Sequence, residues 1–357
     1  KLSGWKDMEP TSRSRAVVES VFLCKVISRS PSWFGLKSIT DEHKKMAQSS
    51  GLLLRRVIDE GFCATEEDTT TFWTETMPFV LDRATQCAED MDAIMAVRLT
   101  KIDGGGAKVV TKSRLQCAEI VAGGFFCVFP ENKSRDSTSF DFLEVHARHP
   151  TACSFFLCYF SQVSKEPLQD LKSEVVTFTR KAVGAEAIKD LASDDTQLCD
   201  VEHDATGSIE KHPCLQADFA NMYIGGGVLI GGNVQEEIRF MICPELCVSM
   251  PLSDVMLPHE AIEIVGALQY SKYAGYGGSL KCAGPTDLAE EKAKAPLDAL
   301  KRHKIRIVAF DALPMPDRTV QYGAEGVVRE LRKAVVAFSP NSADQLPDGG
   351  EVEEGRL

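Results

Sequence analysis

The chain has 357 residues with a net charge of −12. That length accommodates two domains and a sizeable core, in a composition typical of soluble globular proteins. The negative charge argues against non-specific nucleic-acid binding, and no apolar run approaches the length of a membrane span.

In chain order, residues 1 to about 36 hold Trp5, Pro10, Pro31, Trp33 and many serines, and read as an irregular lead-in around one apolar element. That element, Ala16 to Ile27, is interrupted by Glu19 and Lys25 and followed by no cleavage pattern, so a signal peptide is not expected. The first residue is Lys1, and we expect a fragment or a trimmed sequence. Met46, Leu52, Leu53, Leu54, Val57 and Ile58 give a helical pattern from Asp41 to about Gly61, and Phe72 to Met91 reads as a second helix interrupted near Pro78. Gly104-Gly105-Gly106 reads as a linker between helices, and Ser113 to Phe129 as a further helix, so this half is expected to be all-helical.

Asn132 to Pro150 is polar and reads as a boundary loop, after which the period changes. Strands are expected at Ser154 to Phe160, Val175 to Thr179, Asp218 to Tyr223, Ala261 to Val265 and Ile305 to Phe310. Helices are expected at Glu236 to Met241, Pro244 to Met250 and Ala324 to Phe338, which makes this half an α/β sheet covered on both faces. Residues 341–357 carry five acids and one Arg and read as a disordered acidic tail. The twelve cysteines form no C-x-x-C pair, and several lie in apolar runs, which indicates buried free thiols in a reducing compartment. Cys243 and Cys247 are a helical turn apart, but no further Cys or His completes a zinc site. We expect no metal and no cofactor.

The most informative stretch is Asp218-Phe219-Ala220-Asn221, then Gly225-Gly226-Gly227, then Gln235-Glu236-Glu237-Ile238-Arg239-Phe240. It reads as a strand, a glycine loop and a helix with Asn233 as N-cap and Glu236 as the capping-box carboxylate. Consecutive glycines let backbone N–H groups approach a ligand closely, and a helix N-terminus behind them favours anions. A dinucleotide fingerprint beginning at Gly225 would need glycine where Ile230 stands, and a P-loop would need lysine where the chain continues Gly232-Asn233.

The run DFAN, three residues, GGG, seven residues, QEEIRF closely resembles the signature of the poly(ADP-ribose) glycohydrolase family. A weaker resemblance extends from about Lys112 to Phe338, and Leu115-Gln116-Cys117-Ala118 with Phe125-Phe126-Cys127 resembles the family's helical accessory region. The resemblance implies a helical accessory domain over 1–145 and a macrodomain-type mixed sheet with flanking helices over 146–340. It implies hydrolysis of ribose–ribose O-glycosidic bonds of poly(ADP-ribose), releasing ADP-ribose, with Glu237 as general acid/base and Glu236 orienting the ribose. Asp218 and Asn221 would support the site, the loop Gly225, Gly226 and Gly227 would meet the substrate, and Gln235 would help hold it. Ile209-Glu210 resembles the segment that recognises adenine, and Tyr276 the aromatic residue that closes over the nucleotide, whereas Tyr270 and Tyr273 are expected to pack.

A general acid must be protonated, while a helix N-terminus favours the ionised form; desolvation, a neighbouring carboxylate and a bound pyrophosphate push back. For a polyanionic substrate the global charge gives no attraction, so local cations are expected near the cleft, with Lys301, Arg302, His303 and Lys304 as candidates. The family's Gly-rich diphosphate loop is not found after Phe338, so we expect an incomplete α/β domain that is poorly soluble or weakly active alone. A module that binds ADP-ribose without cleaving it is the alternative. We expect a monomer of the nucleus or cytoplasm that binds neither nucleic acid nor membrane.

Overall fold

The computed structural model describes residues 65–130, 136–137, 139–184, 186, 197, 200–212, 215–313 and 318–340. The lead-in read over 1–36, the helix expected over 41–61 and the tail over 341–357 lie outside the described residues.

Helix α1 (Glu66–Thr71) starts at Thr65, whose hydroxyl accepts the Asp68 N–H while the Asp68 carboxylate accepts the Thr65 N–H. A π-helical turn, Phe72–Thr76, leads into α2 (Met77–Glu89), with Pro78 in the first turn, where a missing N–H costs nothing. The interruption expected near Pro78 is thus the start of a second helix. Met77, Val80, Ala84 and Cys87 form the buried stripe of α2. After α3 (Met91–Ala96) comes strand β1 (Gly106–Ser113). Gly104 to Gly106 therefore turn into a strand rather than linking two helices, and this half is not all-helical.

Helix α4 (Arg114–Phe125) is buried at every position except Gln116, which with Ser113 caps its first turn. It packs directly on α2: a Cβ at Gly123 would stand 2.4 Å from Cys87 Sγ, so only glycine allows this approach. Within the stretch expected to be loop lies α5 (Leu143–Arg148). Ser154 to Phe160 belongs to α6 (Pro150–Val163), not to a strand. Nine of its residues are buried, and a helix apolar on nearly all sides shows no period by which to tell it from a buried strand. The helix α7 (Leu168–Ser173) leads to β2 (Val175–Ala182).

The remaining strands are β3 (Leu215–Ala220), β4 (Glu260–Val265), the hairpin β5 (Ser271–Ala274) with β6 (Lys281–Pro285), and β7 (Arg306–Asp311). Between them run α8 (Gln235–Ile242), a tight turn over Pro244–Val248, α9 (Ser249–Leu252) and α10 (Leu288–Lys294). The chain then continues into α11 (Arg318–Gln321) and α12 (Ala324–Phe338). The main sheet has the order β1-β2-β4-β7-β3. It is mixed: β3 pairs parallel with β7 and the other neighbours are antiparallel.

Because alternate residues of a strand face opposite sides, Ile262, Ile264, Ile307 and Ala309 join the large core that also holds α2, α4, α6 and α8. Ala261 and Val308 point the other way and pack against Val336 and Ala337 of α12. The sheet is thus covered on both faces. Edge strand β3 presents Phe219, and α12 presents Val327, Val328, Leu331 and Phe338, all exposed.

The basic run at 301–304 precedes the N-terminal end of β7. Since β3 runs parallel to β7, the glycine loop that follows β3 lies at the opposite end of the sheet. Arg302 is held by Asp298, and His303 by Ala295 O and the Glu174 carboxylate. Arg302 and His303 are thus structural, and the run as a whole stands at the wrong end of the sheet to supply the cations expected near the cleft.

Candidate functional site

Strand β3 buries Gln216, Asp218 and Ala220 on one face and exposes Phe219 on the other. Two polar residues on an inward face are costly unless partnered. Gln216 is partnered: its amide donates to the His212 carbonyl and its oxygen accepts from Arg239 Nη2. Asp218 is 1% exposed, and neither carboxyl oxygen has a hydrogen-bond partner. The Asp218 carboxyl is thus not used up on backbone groups.

Beyond β3 the chain turns through Asn221 into the glycine loop. Asn221 braces the turn by accepting the Tyr223 N–H on its side chain. Gly225 and Gly226 have φ of +91° and +50°, in the left-handed region. A Cβ on Gly226 would lie 2.4 Å from Glu236 Oε2 and 2.5 Å from Glu237 Oε1. Glycine is therefore required here both by conformation and by the two carboxylates pressed against it. Ile230, the bulky residue of the spacer, points into solvent and leaves the loop interior open.

The glutamates are held by main-chain donors. Glu236 accepts the Asn221 N–H at 2.9 Å and the Gly225 N–H at 2.7 Å. Glu237 accepts the Gly227 N–H at 2.8 Å and the Val234 N–H at 3.0 Å. The cap of α8 differs from the expectation. Val234 is the N-cap, Glu237 the capping carboxylate at N3, and Asn233 instead bonds the β5–β6 hairpin through Gly277. Gln235 also turns inward, donating to Ala217 O and accepting from Phe219 N, so its amide pairs with the backbone of β3.

Burial raises the Asp218 carboxyl well above the usual carboxylate range; nearby Arg239 opposes the rise and Glu237 adds to it. Burial likewise raises Glu236, and the charge of Asp218 reinforces it against the two backbone donors. The upward push expected in this cluster thus falls on Asp218 and Glu236, which together can hold a proton at neutral pH.

Next to the glutamates is a cleft lined by Ile209, Glu210, Gln235, Ile238, Tyr273 and Tyr276. Ile209 and Glu210 enter it from a single tight turn, Ile209–Lys211. Tyr276 is exposed at its mouth, and the adjacent Gly277 is tied to Asn233 by the Gly277 N–H. Tyr273, expected only to pack, donates its hydroxyl to Glu210 Oε1 at 2.8 Å. Tyr270 does pack, edge-to-face on Tyr159, with its hydroxyl on Glu245. The fold therefore gathers the candidates from β3, the glycine loop, α8, the turn at 209–211 and the β5–β6 hairpin around one loop and its adjoining cleft, and leaves the basic run at 301–304 at the other end of the sheet. Sequence reasoning missed Arg239 and Gln216, although Arg239 stands one helical turn after Glu236. It also missed His149, whose ring would lie 2.1 Å from a Cβ on Gly231 and so closes the back of the loop. Among the described residues no cluster of His, Cys, Asp and Glu is arranged to hold a metal ion.

Residues 188–353 match the family model described as poly(ADP-ribose) glycohydrolase, macro domain fold, and residues 64–180 the one described as its helical domain. A probable poly(ADP-ribose) glycohydrolase 2 of Arabidopsis thaliana is 32% identical over 283 residues, covering 73% of this chain and 52% of that protein. Poly(ADP-ribose) glycohydrolase 1 of Caenorhabditis elegans is 33% identical over 267 residues, covering 72% and 33%. Poly(ADP-ribose) glycohydrolase 1 of Arabidopsis thaliana is 33% identical over 274 residues, covering 73% and 48%. The chain thus spans between a third and about half the length of these relatives. With a helical part and a macrodomain-type mixed sheet each matched, and the glycine loop folded onto its two glutamates, the chain belongs to the poly(ADP-ribose) glycohydrolase family.

Proposed function

We propose that the protein hydrolyses the ribose–ribose O-glycosidic bonds of poly(ADP-ribose) and releases ADP-ribose. The observation that carries this reading is the pair of carboxylates, Glu236 and Glu237, both pressed against Gly226 at the start of α8. Glycoside cleavage needs a proton for the leaving oxygen and a base for the incoming water. Glu237, turned towards the loop where substrate would lie, does both in succession. Glu236 orients the ribose at the scissile bond, and Asp218 beneath it supplies the charge that keeps a proton in the cluster. Asn221 fixes the turn, and Gly225, Gly226 and Gly227 let the substrate approach the backbone. Adenine lies in the cleft of Ile209 and Glu210, with Tyr276 over it and Gln235 at its floor. An oxocarbenium-like transition state gains further from the substrate's own pyrophosphate.

One observation favours a second reading. Both Glu237 oxygens already accept loop N–H groups, so the glutamates could staple the loop of a module that binds ADP-ribose without cleaving it. Incubating the whole protein with labelled polymer separates the two: release of ADP-ribose is expected, and a gel shift without release would overturn the hydrolase reading. We infer further a monomer of the nucleus or cytoplasm, without nucleic-acid or membrane partners; the buried free thiols of the core fit a reducing compartment.

A further inference from the structure

Cys158 on α6 and Cys282 on β6 lie with their Sγ atoms 3.6 Å apart, although 124 residues separate them in the chain. Neither takes part in the chemistry proposed above. Cys158 is fully buried, whereas Cys282 on the outer hairpin keeps part of its surface exposed. The other free cysteines among the described residues are buried. We propose that this pair is a redox site, in which Cys158 and Cys282 form a reversible disulfide that staples the Tyr276-bearing hairpin to the protein core.

The supports are unequally packed. Helix α6 is packed in the core along most of its length. Hairpin β5–β6 is a separate two-stranded sheet, tied at its tip to Asn233 by the Gly277 N–H and carbonyl. A disulfide needs sulfurs about 2.05 Å apart, so the hairpin side must close the present gap by about 1.5 Å. A half-exposed two-stranded element can make that shift. The contact also sets the roles of the two thiols: it draws Cys282 towards the thiolate and pushes Cys158, in the core, the other way.

The step balances with a hydroperoxide as oxidant. Cys282 thiolate attacks the peroxide oxygen; the O–O bond breaks, leaving an alcohol (water, for hydrogen peroxide) and a sulfenic acid. Cys158 then attacks that sulfur, the Sγ–Sγ bond forms, and the S–O bond breaks, with hydroxide leaving as water on the Cys158 proton. Two electrons pass from the thiols to the peroxide, and a dithiol reductant returns them.

The test is covalent and does not depend on the hydrolase reading. The full chain is treated with hydrogen peroxide, its remaining thiols are alkylated under denaturing conditions, and its peptides are read by mass spectrometry. A joined Cys158–Cys282 peptide is expected, with both thiols lost to alkylation and both regained with dithiothreitol. Cys282→Ser, on the outer hairpin, should abolish it, as should Cys158→Ala where that variant folds. Hydrogen exchange over 271–285 should slow in the oxidised protein and remain unchanged in Cys282→Ser. Cys282 oxidised while Cys158 stays alkylatable, a different joined pair, or unaltered exchange would each overturn the proposal.

Discussion

Glu260 and Asp218 are both carboxylates on the central sheet, 0% and 1% exposed, yet their surroundings are opposite. Glu260 on β4 is fully answered. Both its oxygens take Arg180 donors, and they also accept the Ile102 and Leu257 N–H groups at 2.7 Å. Arg180 spends its remaining donors on the carbonyls of Leu99, Asp254 and Val255. A second knot, Arg114 with Glu174, Glu245 and Tyr270, is built the same way. Burial opposes ionisation of Glu174, but His303, Arg114 and Lys292 outweigh it and hold its carboxyl down at about 2. Asp218 on β3 accepts no hydrogen bond, since nearby Arg239 donates to Gln216 instead, and its neighbour Glu236 has only backbone donors. The fold completes its ion pairs where it joins the helical part to the sheet, and leaves charge unanswered where the loop must meet a ligand.

The sharpest way to break this contrast is to remove the cation from the complete pair. Arg180→Leu leaves Glu260 buried and unpaired, and should cost about 3–5 kcal/mol in urea unfolding. A loss under about 1 kcal/mol would mean that the pair behaves like a surface ion pair and that the distinction between the two regions is empty.

At the incomplete cluster the expected loss is in rate rather than stability. Glu237→Gln keeps the size and an acceptor for one of the two loop N–H groups, but removes the transferable proton. Polymer cleavage should fall at least about 10²-fold, while stability changes by under about 1 kcal/mol, the scale of one helix cap. A gel shift with polymer should persist. Near-normal turnover would remove Glu237 from the acid/base role and leave it as the cap of α8.

The same contrast explains what the sequence made legible. The glycine loop and its carboxylates lie within 218–240, so strand, loop and helix were readable together, and they meet through local turns. Val175 to Thr179, Ala261 to Val265 and Ile305 to Phe310 were readable as strands because β-branched runs buried on both faces carry a strong signal. β1 carries only Val109 and Val110 as large apolar residues, is largely exposed, and takes its place from pairing with β2. α6 was misread because the core surrounds it. Arg114 and Glu245 are 131 residues apart, and Arg180 and Glu260 are 80 apart, distances over which residue spacing conveys no pairing. For the same reason Asp218 could be named, but its lack of a partner could not be foreseen.

The smallest expected effect, and the most specific to the incomplete cluster, is a pH dependence. Burial pushes Asp218 up to about 7 in the folded chain, from a usual value of 3.8. Below 3.8 both states hold the proton and the group contributes nothing to the pH dependence. Between 3.8 and about 7 the unfolded chain releases the proton while the folded chain keeps it, so stability must fall as pH rises through this window. Above it the penalty is constant. Glu174 has the opposite sign: held down at about 2, it contributes stability that is present at neutral pH and is lost as the medium is acidified through that value. Asp218→Asn removes the first effect and leaves the second. Its stability relative to the parent chain should therefore rise from pH 4 to pH 7 by on the order of 2 kcal/mol and then level off. Urea midpoints across that range measure it directly. Parallel curves for Asp218→Asn and the parent would show that Asp218 ionises normally in the fold, and would dissolve the contrast from the site's side.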